Sequence, residues 1–466
     1  MGDIDTFEGL LAAVAVEDGL RVTDPASGEV LGYAPDRTVE DLRRAVAVAK
    51  AAQPGWEALG HEERSRLLHA AADAVEHSAA ALAELISREQ GKPLNGPGSR
   101  FEAGGVAAWL RAAADTPLEP EQVGESAVLR YRAVGVVGAI GPWNWPALIA
   151  CWQFAGALRM GNTVVLKPSE YTPLSVLALG EVVGRVLPEG VLTVLSGGRE
   201  LGAAVVADRG FGKLMFTGST RTGRAIVAAS AGNLPRLTLE LGGNDPGIVL
   251  PDADPAAIAE DLFWGAFINT GQTCAALKRL YVHESLHDEV VEALRAVVER
   301  TPMGPGVEEG SLLGPLTTRE QFGIVDGLVE KAKAAGARIV IGGEPDRDAP
   351  GNFYPATLVT GVAGDAGLVV EEQFGPALPI LPYRDLDDVI GQANALETGL
   401  GASVWSADVE RAKEVSGRIE AGTVWINKHG TVHPMVPFGG VKGSGYGLEF
   451  GQEGLKAVAV PQIITT

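Results

Sequence analysis

The chain has 466 residues, of which 46% are hydrophobic and 21% are charged, so it is long enough for more than one folded domain. Its net charge of −21 repels nucleic-acid phosphates and anionic lipid, which argues against nucleic acid and membrane as partners. Cys151 and Cys274 are the only cysteines, without zinc-site or disulfide spacing, so we expect no metal. No signal peptide or membrane-length apolar run occurs, which predicts a cytoplasmic protein.

The first third of the chain predicts a surface hairpin followed by helices. Residues 21–33 alternate apolar and polar side chains around a Pro-Ala-Ser-Gly turn, as a hairpin does. From Val39 the apolar residues follow a 3.6-residue period, which predicts three successive amphipathic helices, the middle one ending at Gly91 and Pro93. Residues 124–133 predict a strand that stands apart from these helices.

From residue 134 onward, strands alternate with helices in two successive sets that meet near Gly242, and the second set includes a predicted strand over 367–374. Short apolar strands separated by helices predict parallel, doubly wound sheets, so the expected fold class is α/β with two such layers. Sheets of this kind bind ligands at the carboxyl ends of their strands. The segment 455–466 predicts an edge strand, because Pro461 cannot donate a hydrogen bond in a central ladder.

Two motifs at predicted strand ends suit a dinucleotide, although the G-x-G-x-x-G fingerprint is absent. A strand runs into Gly218 and Ser219 and a helix starts near Gly223, which offers free amides to a pyrophosphate; a plain glycine turn is the alternative. Upstream, a strand ends with Lys167, and Glu170 follows. A carboxylate there can accept both adenosine ribose hydroxyls and repels a 2′-phosphate, which predicts NAD over NADP. Lys167 is a second ribose ligand or a solvated strand end.

A carboxylate and a thiol stand 274 − 240 = 34 residues apart, each beside a glycine-bearing turn: Glu240 in ELGG and Cys274 in GQTC. One interpretation is a nucleophile with a base; the other is a cysteine that packs as a small hydrophobe and a solvated glutamate. Asn144 lies between Trp143 and Trp145. Its amide needs a partner if it is buried, or else it can point at charge developing on a substrate oxygen.

Together these motifs resemble the aldehyde dehydrogenase superfamily, in its hydrolytic branch and in a bacterial subgroup with the ELGGND variant. The match runs in order from about Pro25 to the C-terminus, and the joint occurrence of its motifs makes it specific. The motifs that carry it are DPASGE (24–29), GPWNWP (141–146), KPSE (167–170), FTGS (216–219), ELGG (240–243), GQTC (271–274), EEQFGP (371–376) and PFGGVKGSG (437–445).

The resemblance implies roles for individual positions. Cys274 resembles the nucleophile that attacks the aldehyde carbon, and Asn144 with the backbone N–H of Cys274 resembles the oxyanion hole. Glu240 resembles the base that activates water against the resulting thioester. Three further positions are implied for the cofactor site, with the glutamate holding the nicotinamide ribose: Trp143, Glu372 and Phe374.

The family fold implies three parts of the chain. We expect an NAD-binding domain over 1–114 and 134–242, a catalytic domain over 243–436, and an oligomerisation arm over 115–133 and 455–466. An arm that ends in an edge strand can pair with the sheet of another subunit, so we expect a homodimer or a homotetramer.

The implied substrate funnel has apolar and aromatic walls, which suit an aliphatic or aromatic small-molecule aldehyde. Lys428 and two histidines beside it can instead anchor a substrate carboxylate, which makes a semialdehyde the alternative. The histidines are not expected to bind metal, because no acidic or thiol partner has matching spacing. The residues assigned to the funnel are Trp145, Ile149, Trp152, Thr273, Ala275, His429 and His433.

Three residues depart from the family pattern. Asn244 and Asp245 stand where Lys and Ser are more usual, and Gln373 stands where an aliphatic residue is common. They leave the catalytic positions intact and the identity of the substrate open. One alternative to a hydrolytic enzyme is a CoA-acylating member, against which the retained Glu240 argues. The other is a catalytically silent binding protein on the same fold, against which the intact Cys274 also argues.

Overall fold

The computed structural model describes residues 4–466 of the chain. Its helices are α1 Phe7–Val14, α2 Val39–Ala58, α3 Gly60–His77, α4 Ala79–Gln90, α5 Ser99–Asp115, α6 Pro146–Arg159, α7 Pro173–Gly184, α8 Arg199–Ala207, α9 Thr220–Ser230, α10 Pro255–Phe267, α11 His287–Arg300, α12 Arg319–Ala334, α13 Gly367–Val370, α14 Leu386–Asn394, α15 Val409–Ser416 and α16 Gly451–Ala457, with a short 3-10 turn at Ile268–Gly271.

The strands alternate with these helices over most of the chain. They are β1 Leu20–Thr23, β2 Val30–Ala34, β3 Glu121–Val123, β4 Ala127–Ala133, β5 Val136–Ile140, β6 Thr163–Lys167, β7 Leu192–Val194, β8 Lys213–Thr217, β9 Arg236–Glu240, β10 Asp245–Val249, β11 Leu277–His283, β12 Arg338–Ile341, β13 Thr357–Thr360, β14 Ala377–Tyr383, β15 Thr398–Gly399, β16 Gly401–Trp405, β17 Thr423–Ile426, β18 Val441–Lys442, β19 Gly445–Tyr446 and β20 Ala459–Thr465.

The N-terminal region forms the predicted hairpin, with β1 antiparallel to β2, and the predicted helices. The middle helix is two helices, α3 and α4, because the backbone leaves the helical conformation at Ser78 (φ −94°, ψ 7°). The apolar period continues across this one-residue break, so periodicity alone predicts a single helix. Helix α4 then ends at Gly91, whose φ of 97° is the left-handed conformation that glycine adopts without strain.

The first large sheet has the strand order β19-β9-β8-β5-β6-β7, and its strands run parallel except for β19. The chain moves outward from β5 to β7 on one side and from β8 to β9 on the other, as in a doubly wound sheet. Register pairs Ile140 with both Lys167 and Phe216, and Thr217 with Glu240. The carboxyl ends of these strands therefore share one edge.

The second large sheet has the order β12-β13-β14-β11-β10-β16-β17, and β12 is its antiparallel strand. The chain enters it directly from the first sheet, because β9 ends at Glu240 and β10 begins at Asp245. Five peptide steps span at most about 17 Å, so the carboxyl edge of the first sheet faces the amino edge of the second. The predicted strand over 367–374 is wrong: helix α13 forms there, since a short apolar run does not distinguish helix from strand.

The prediction of an α/β fold with parallel-sheet layers is confirmed. A separate three-stranded antiparallel sheet has the order β20-β4-β3 and stands apart from both large sheets. Strand β20 lies at its edge and pairs Pro461 with Tyr131, which fits the expectation that proline is confined to edge strands. Within residues 4–466, no helix is long and apolar enough to cross a lipid bilayer.

A buried carboxylate ties α4 to the start of α7. The Oε1 atom of Glu89 accepts a hydrogen bond from the backbone N–H of Leu174, and Oε2 accepts from the backbone N–H (2.9 Å) and the hydroxyl (2.6 Å) of Ser175. These amides are among the first-turn donors that a helix cannot satisfy internally. Burial outweighs the hydrogen bonds and raises the pKa of Glu89 to about 7.

We expect Glu89→Ala to lower the free energy of unfolding by about 2–4 kcal/mol, because it leaves buried N–H and O–H donors at the helix terminus without an acceptor. The matched control is Glu84→Ala on the same helix, which removes a half-exposed pair with Arg88 and costs about 0.5 kcal/mol or less. Urea unfolding followed by tryptophan fluorescence measures both, and equal losses would contradict a special role for Glu89.

Candidate active site

The predicted residues converge where the two large sheets meet. Asn144 follows β5, Lys167 ends β6, Ser219 follows β8 and Glu240 ends β9, so all four lie at the carboxyl edge of the first sheet. Cys274 approaches from the other side, between the 3-10 turn and the start of β11. The site is therefore built from the carboxyl edge of one sheet and the amino edge of the other.

Asn144 connects the two sheets. Its side-chain Nδ2 donates to the carbonyl of Gln272 at 3.0 Å, two residues before the thiol. Its own carbonyl accepts from Lys92 Nζ and from Asn269 Nδ2, each at 2.8 Å. An amide carries two N–H donors, so one fixes the orientation of the side chain and the second is free for a substrate oxygen. Asn144 is only 3% exposed.

The loop before the thiol is strained and tightly held. Asn269, Thr270 and Gly271 have φ values of 51°, 55° and 75°, the left-handed conformation, which costs a non-glycine residue about 1–2 kcal/mol. The Thr270 hydroxyl accepts from the N–H of Gly314 and donates to its carbonyl, both at 3.0 Å. A Cβ on Gly271 would lie 2.3 Å from the carbonyl oxygen of Gly375, so only glycine fits. The surrounding contacts therefore fix the backbone that leads to Cys274.

The Cys274 thiol is half-buried beside three carboxyl groups. Burial, then Glu372, Glu240 and Asp245, raise its pKa to about 12, against which the backbone N–H of Ala275 acts weakly. At neutral pH the thiol is therefore protonated, and attack on a carbonyl requires a base to take its proton. Cys151, by contrast, is fully buried in the core, where its sulfur lies 3.4 Å from the carbonyl of Val106.

Glu240 is buried next to a second carboxyl group that sequence analysis did not single out. Within residues 4–466, neither carboxyl oxygen of Glu240 has a hydrogen-bond partner. Burial, and then the charge of Glu449, raise the pKa of Glu240 well above its ordinary value. Burial also raises the pKa of Glu449, while nearby Lys213 opposes this. The sequence signal for Glu449 is weak, because it is one glutamate in a glycine-rich C-terminal segment.

The three residues expected around the nicotinamide ribose lie together. The Oε1 atom of Glu372 accepts from the backbone N–H of Gly243 at 3.3 Å. Trp143 and Phe374 meet edge to face with ring centroids 5.3 Å apart. Lys278, which sequence analysis also missed, lies 5.2 Å from the Phe374 ring. Burial raises the pKa of Glu372, and the charge of Lys278 partly offsets this.

The residues expected to hold the other half of a dinucleotide fit that ligand. Helix α9 starts with its backbone amides directed at the carboxyl edge, and Ser219 caps it by accepting from the N–H of Thr222 at 3.3 Å. Lys167 Nζ lies 3.7 Å from Oε2 of Glu170, whose side chain is 43% exposed. A Cβ on Gly223 would lie 2.6 Å from Leu241, so the helix packs closely here. A Cβ on Gly218 would likewise lie 2.6 Å from the ring of Phe216.

The predicted funnel residues fall into two groups. Trp145, Ile149 and Trp152 share one face of α6, and Trp145 Nε1 donates to the Thr273 hydroxyl at 2.9 Å. Ala275 is buried directly after the nucleophile. Thr273 and Ala275 flank the thiol in sequence, and Trp145 reaches this segment through its hydrogen bond.

The histidines lie elsewhere. His429 is buried, with Nδ1 at 2.9 Å from the Ser403 hydroxyl and Nε2 at 3.6 Å from Oδ2 of Asp245. The structure therefore puts it in the core beside the second sheet, not on a funnel wall. Lys428 and His433 are exposed.

A mostly apolar cavity extends from α6 toward the base. Trp152 packs against Trp109 and Phe450 with ring centroids 5.6 Å and 4.8 Å away, and these rings line the cavity together with Glu449. Phe101, which is 51% exposed, meets Trp145 edge to face at 6.1 Å. Aromatic side chains therefore line the cavity next to α6, and a further exposed ring lies against Trp145.

A doubly wound sheet with residues suited to a dinucleotide, together with a thiol and a buried carboxyl group, indicates an oxidoreductase. The model of the aldehyde dehydrogenase family matches residues 13–464. Phenylacetaldehyde dehydrogenase of Pseudomonas fluorescens is 39% identical over 465 residues, covering 96% of this chain and 91% of that protein. Betaine aldehyde dehydrogenase of Rhizobium leguminosarum bv. trifolii (strain WSM2304) is 38% identical over 437 residues, covering 91% and 89%.

A solved structure gives the same result. The NAD-dependent aldehyde dehydrogenase from Sinorhizobium meliloti superposes with a TM-score of 0.92 at 35% identity, covering 96% of this chain and 90% of that one. The chain belongs to the aldehyde dehydrogenase family, and the prediction of an aldehyde-oxidising enzyme is confirmed. The predicted use of NAD agrees with the cofactor of the Sinorhizobium meliloti protein.

The pairing of Glu240 with Glu449 predicts a pH dependence. A base acts when it is deprotonated, so a raised pKa of Glu240 means that the active fraction grows as pH rises through that raised value. In Glu449→Gln the neighbouring charge is gone and the pKa of Glu240 falls, which moves the rising limb of the kcat–pH profile to lower pH by about one unit. Glu453→Gln, at an exposed position on α16, is the control. A limb that stays in place, or moves to higher pH, would contradict the coupling.

Proposed function

We propose that this enzyme oxidises an aldehyde to the carboxylic acid with NAD, through covalent chemistry at Cys274 and hydrolysis assisted by Glu240. The observation that supports this most strongly is the hydrogen bond from Asn144 to Gln272, because it joins the amide to the loop that carries the thiol. Glu240 ends the neighbouring strand of the same edge, so a thiol, an amide donor and a carboxyl group face one space.

In the first step the thiol of Cys274 gives its proton to a solvent base, and the sulfur bonds to the aldehyde carbon. The carbonyl π electrons move to oxygen, which becomes an oxyanion. The free N–H of Asn144 Nδ2 and the backbone N–H of Cys274 donate to it. Because the amide is already fixed by its other hydrogen bond, it requires no reorganisation when the charge develops.

NAD, when bound, would accept the hydride that the reacting carbon gives up, which would leave an acyl thioester on Cys274. Three groups of residues are suited to hold it. The amides of α9 and Ser219 would bind its phosphates, and Lys167 with Glu170 would bind the adenosine ribose. Glu372 would bind the second ribose, beside Trp143 and Phe374. The carboxylate of Glu170 repels a 2′-phosphate, which favours NAD over NADP.

In the last step Glu240, as a carboxylate, takes a proton from water. The water oxygen bonds to the acyl carbon, the carbon–sulfur bond breaks, and the sulfur of Cys274 leaves with the bonding electrons. The burial of Glu240, which raises its pKa, makes the carboxylate a stronger base for this proton transfer.

We expect Cys274→Ala to abolish turnover, since no covalent intermediate can form. Glu240→Gln should retain a single-turnover burst of NADH while slowing acid release about 100-fold or more, because solvent can accept the thiol proton in the first step and only the hydrolytic step depends on Glu240. Stopped-flow absorbance separates the two phases. Cys151→Ala, which changes a thiol in the core, is the control and should retain the burst.

Three results would change the proposal. Full turnover by Glu240→Gln would remove that residue from hydrolysis. NADH formation that requires added CoA would identify the acyl acceptor as a thiol instead of water. The absence of any burst in the wild-type enzyme would support a catalytically silent protein.

An aromatic or arylalkyl aldehyde is the substrate class that the site supports best. The exposed ring of Phe101 lies against Trp145, whose indole donates to Thr273 next to the thiol, and the rings of Trp109, Trp152 and Phe450 line a cavity next to α6. The relative from Pseudomonas fluorescens is named for phenylacetaldehyde. The semialdehyde alternative loses support because the imidazole of His429 is committed to Ser403 and Asp245.

We expect kcat/KM for phenylacetaldehyde to exceed that for succinic semialdehyde by at least about tenfold. Trp152→Ala should lower kcat/KM for phenylacetaldehyde about tenfold and for acetaldehyde much less, because a two-carbon substrate cannot reach the aromatic cluster. NADH absorbance over an aldehyde panel measures both. A preference for the semialdehyde, or equal losses for both substrates in the variant, would reject the aromatic assignment.

The three-stranded sheet supports assembly into a homodimer or homotetramer. Strand β20 presents an unpaired edge, and its outer half carries the exposed side chains of Ile463 (61%) and Ile464 (43%). Exposed apolar residues on a sheet edge favour pairing with another subunit. A cytoplasmic location is part of the same proposal, because a reducing compartment keeps the Cys274 thiol free.

A further inference from the structure

The three departures from the family pattern meet at one place in the structure. Asn244 and Asp245 stand at the start of β10, and Gln373 precedes β14. Gln373 Nε2 donates to the carbonyl of Lys278 at 2.9 Å. Asn244 offers its carbonyl to the Nε of Arg279, also at 2.9 Å, and the carboxylate of Asp245 interacts with the Lys278 ammonium. All three unusual residues therefore interact with Lys278 or Arg279, near the start of strand β11.

Lys278 is a buried cation at the base of the nucleophile loop. The residue is 1% exposed, and its Nζ donates to the carbonyl of Gly271 at 2.5 Å. Gly271 is the last of the three left-handed residues and lies three positions before Cys274. The Lys278 ammonium also interacts with the carboxylate of Glu372 and with Cys274 itself. A charge this deeply buried is costly unless it is paired, which indicates a specific role.

We propose that Lys278 is a positioning residue for the nucleophile: its ammonium holds the strained loop through Gly271 and supplies the positive charge that offsets the carboxylates around Cys274. This inference rests on the proposed function of Cys274 as the nucleophile. Lys278 does not touch the substrate; it acts through the loop and through the field at the sulfur.

The charges around the thiol divide into opposing sets. Glu240, Glu372 and Asp245 disfavour the thiolate, and Lys278 favours it. Arg279, the next residue, is directed away, because its guanidinium donates to three backbone carbonyls: those of Asn244, Gln392 and Ala393.

Three further titratable residues lie one contact out. His429 Nε2 lies 3.6 Å from Oδ2 of Asp245, the carboxyl group of Glu449 acts on Glu240, and Lys213 acts on Glu449. Among the cations named here, Lys278 is the one whose ammonium group interacts with the Cys274 sulfur.

Asp245 gives the opposing half of the test. Its Oδ1 accepts from the backbone N–H of Gly401 at 3.1 Å, which holds the carboxylate at the start of β10. Removing its charge should make the thiolate easier to form, whereas removing the charge of Lys278 should make it harder. A residue with only a structural role predicts no such reversal of sign.

The experiment measures the rate of Cys274 alkylation by iodoacetamide against pH in the full-length enzyme. Peptide mass spectrometry assigns the alkylated cysteine, which excludes Cys151. Lys278→Met should raise the midpoint by about one pH unit, equal to about tenfold slower alkylation below the midpoint. Asp245→Asn should lower it by a similar amount, and the double variant should return close to wild type. The control is Lys442→Met, which removes a cation that pairs with Glu420 and should leave the midpoint unchanged.

Shifts of the same sign in the two single variants, or no shift in either, would overturn the inference. If Lys278→Met does not fold, Asp245→Asn alone decides, because an unchanged midpoint there contradicts a field set by Asp245 and Lys278. The result is independent of turnover. The proposed function fails if Cys274→Ala remains active, whereas this inference fails if the alkylation midpoint does not move.

Discussion

The hydrogen bond between the Asn144 side chain and the Gln272 carbonyl is the contact on which the site depends. It joins the end of β5 in the first sheet to the loop before β11 in the second, across the gap where the chain changes sheets. The Asn144 carbonyl extends the link, since Lys92 and Asn269 both donate to it. Lys92 is itself paired with the fully buried Glu102. Because both its side chain and its backbone carbonyl are hydrogen-bonded, Asn144 is fixed before substrate arrives. Such preorganisation makes a hydrogen-bond donor effective in catalysis.

The second constraint is the number of ionisable groups confined in little space. Carboxyl groups near one another and away from water resist ionisation, which suits Glu240, because a base must keep its affinity for protons. The same surroundings oppose a thiolate at Cys274. Lys213 on the side of Glu449 and Lys278 on the side of Glu372 compensate for part of this charge. One lysine therefore lies on the side of Glu240, through Glu449, and the other lies on the side of Cys274.

Much of the site could be predicted because parallel strands share a carboxyl edge: Asn144, Lys167, Ser219 and Glu240 each follow or end a recognisable strand. Lys278 could not be found, because it lies inside an apolar strand pattern and its carboxylate partners Asp245 and Glu372 stand 278 − 245 = 33 and 372 − 278 = 94 residues away along the chain. Three further features depend on tertiary contacts that no local pattern contains: the break at Ser78, the helix at Gly367–Val370 and the burial of His429.

Strand β19 closes the edge of the first sheet with a segment that is distant in sequence. It lies at Gly445–Tyr446 and pairs antiparallel with β9, with Gly445 opposite Glu240. Glu449, which raises the pKa of Glu240, stands 449 − 445 = 4 residues further on. The same segment therefore completes the sheet and sets the electrostatics of Glu240, so a change that loosened β19 would disturb both together.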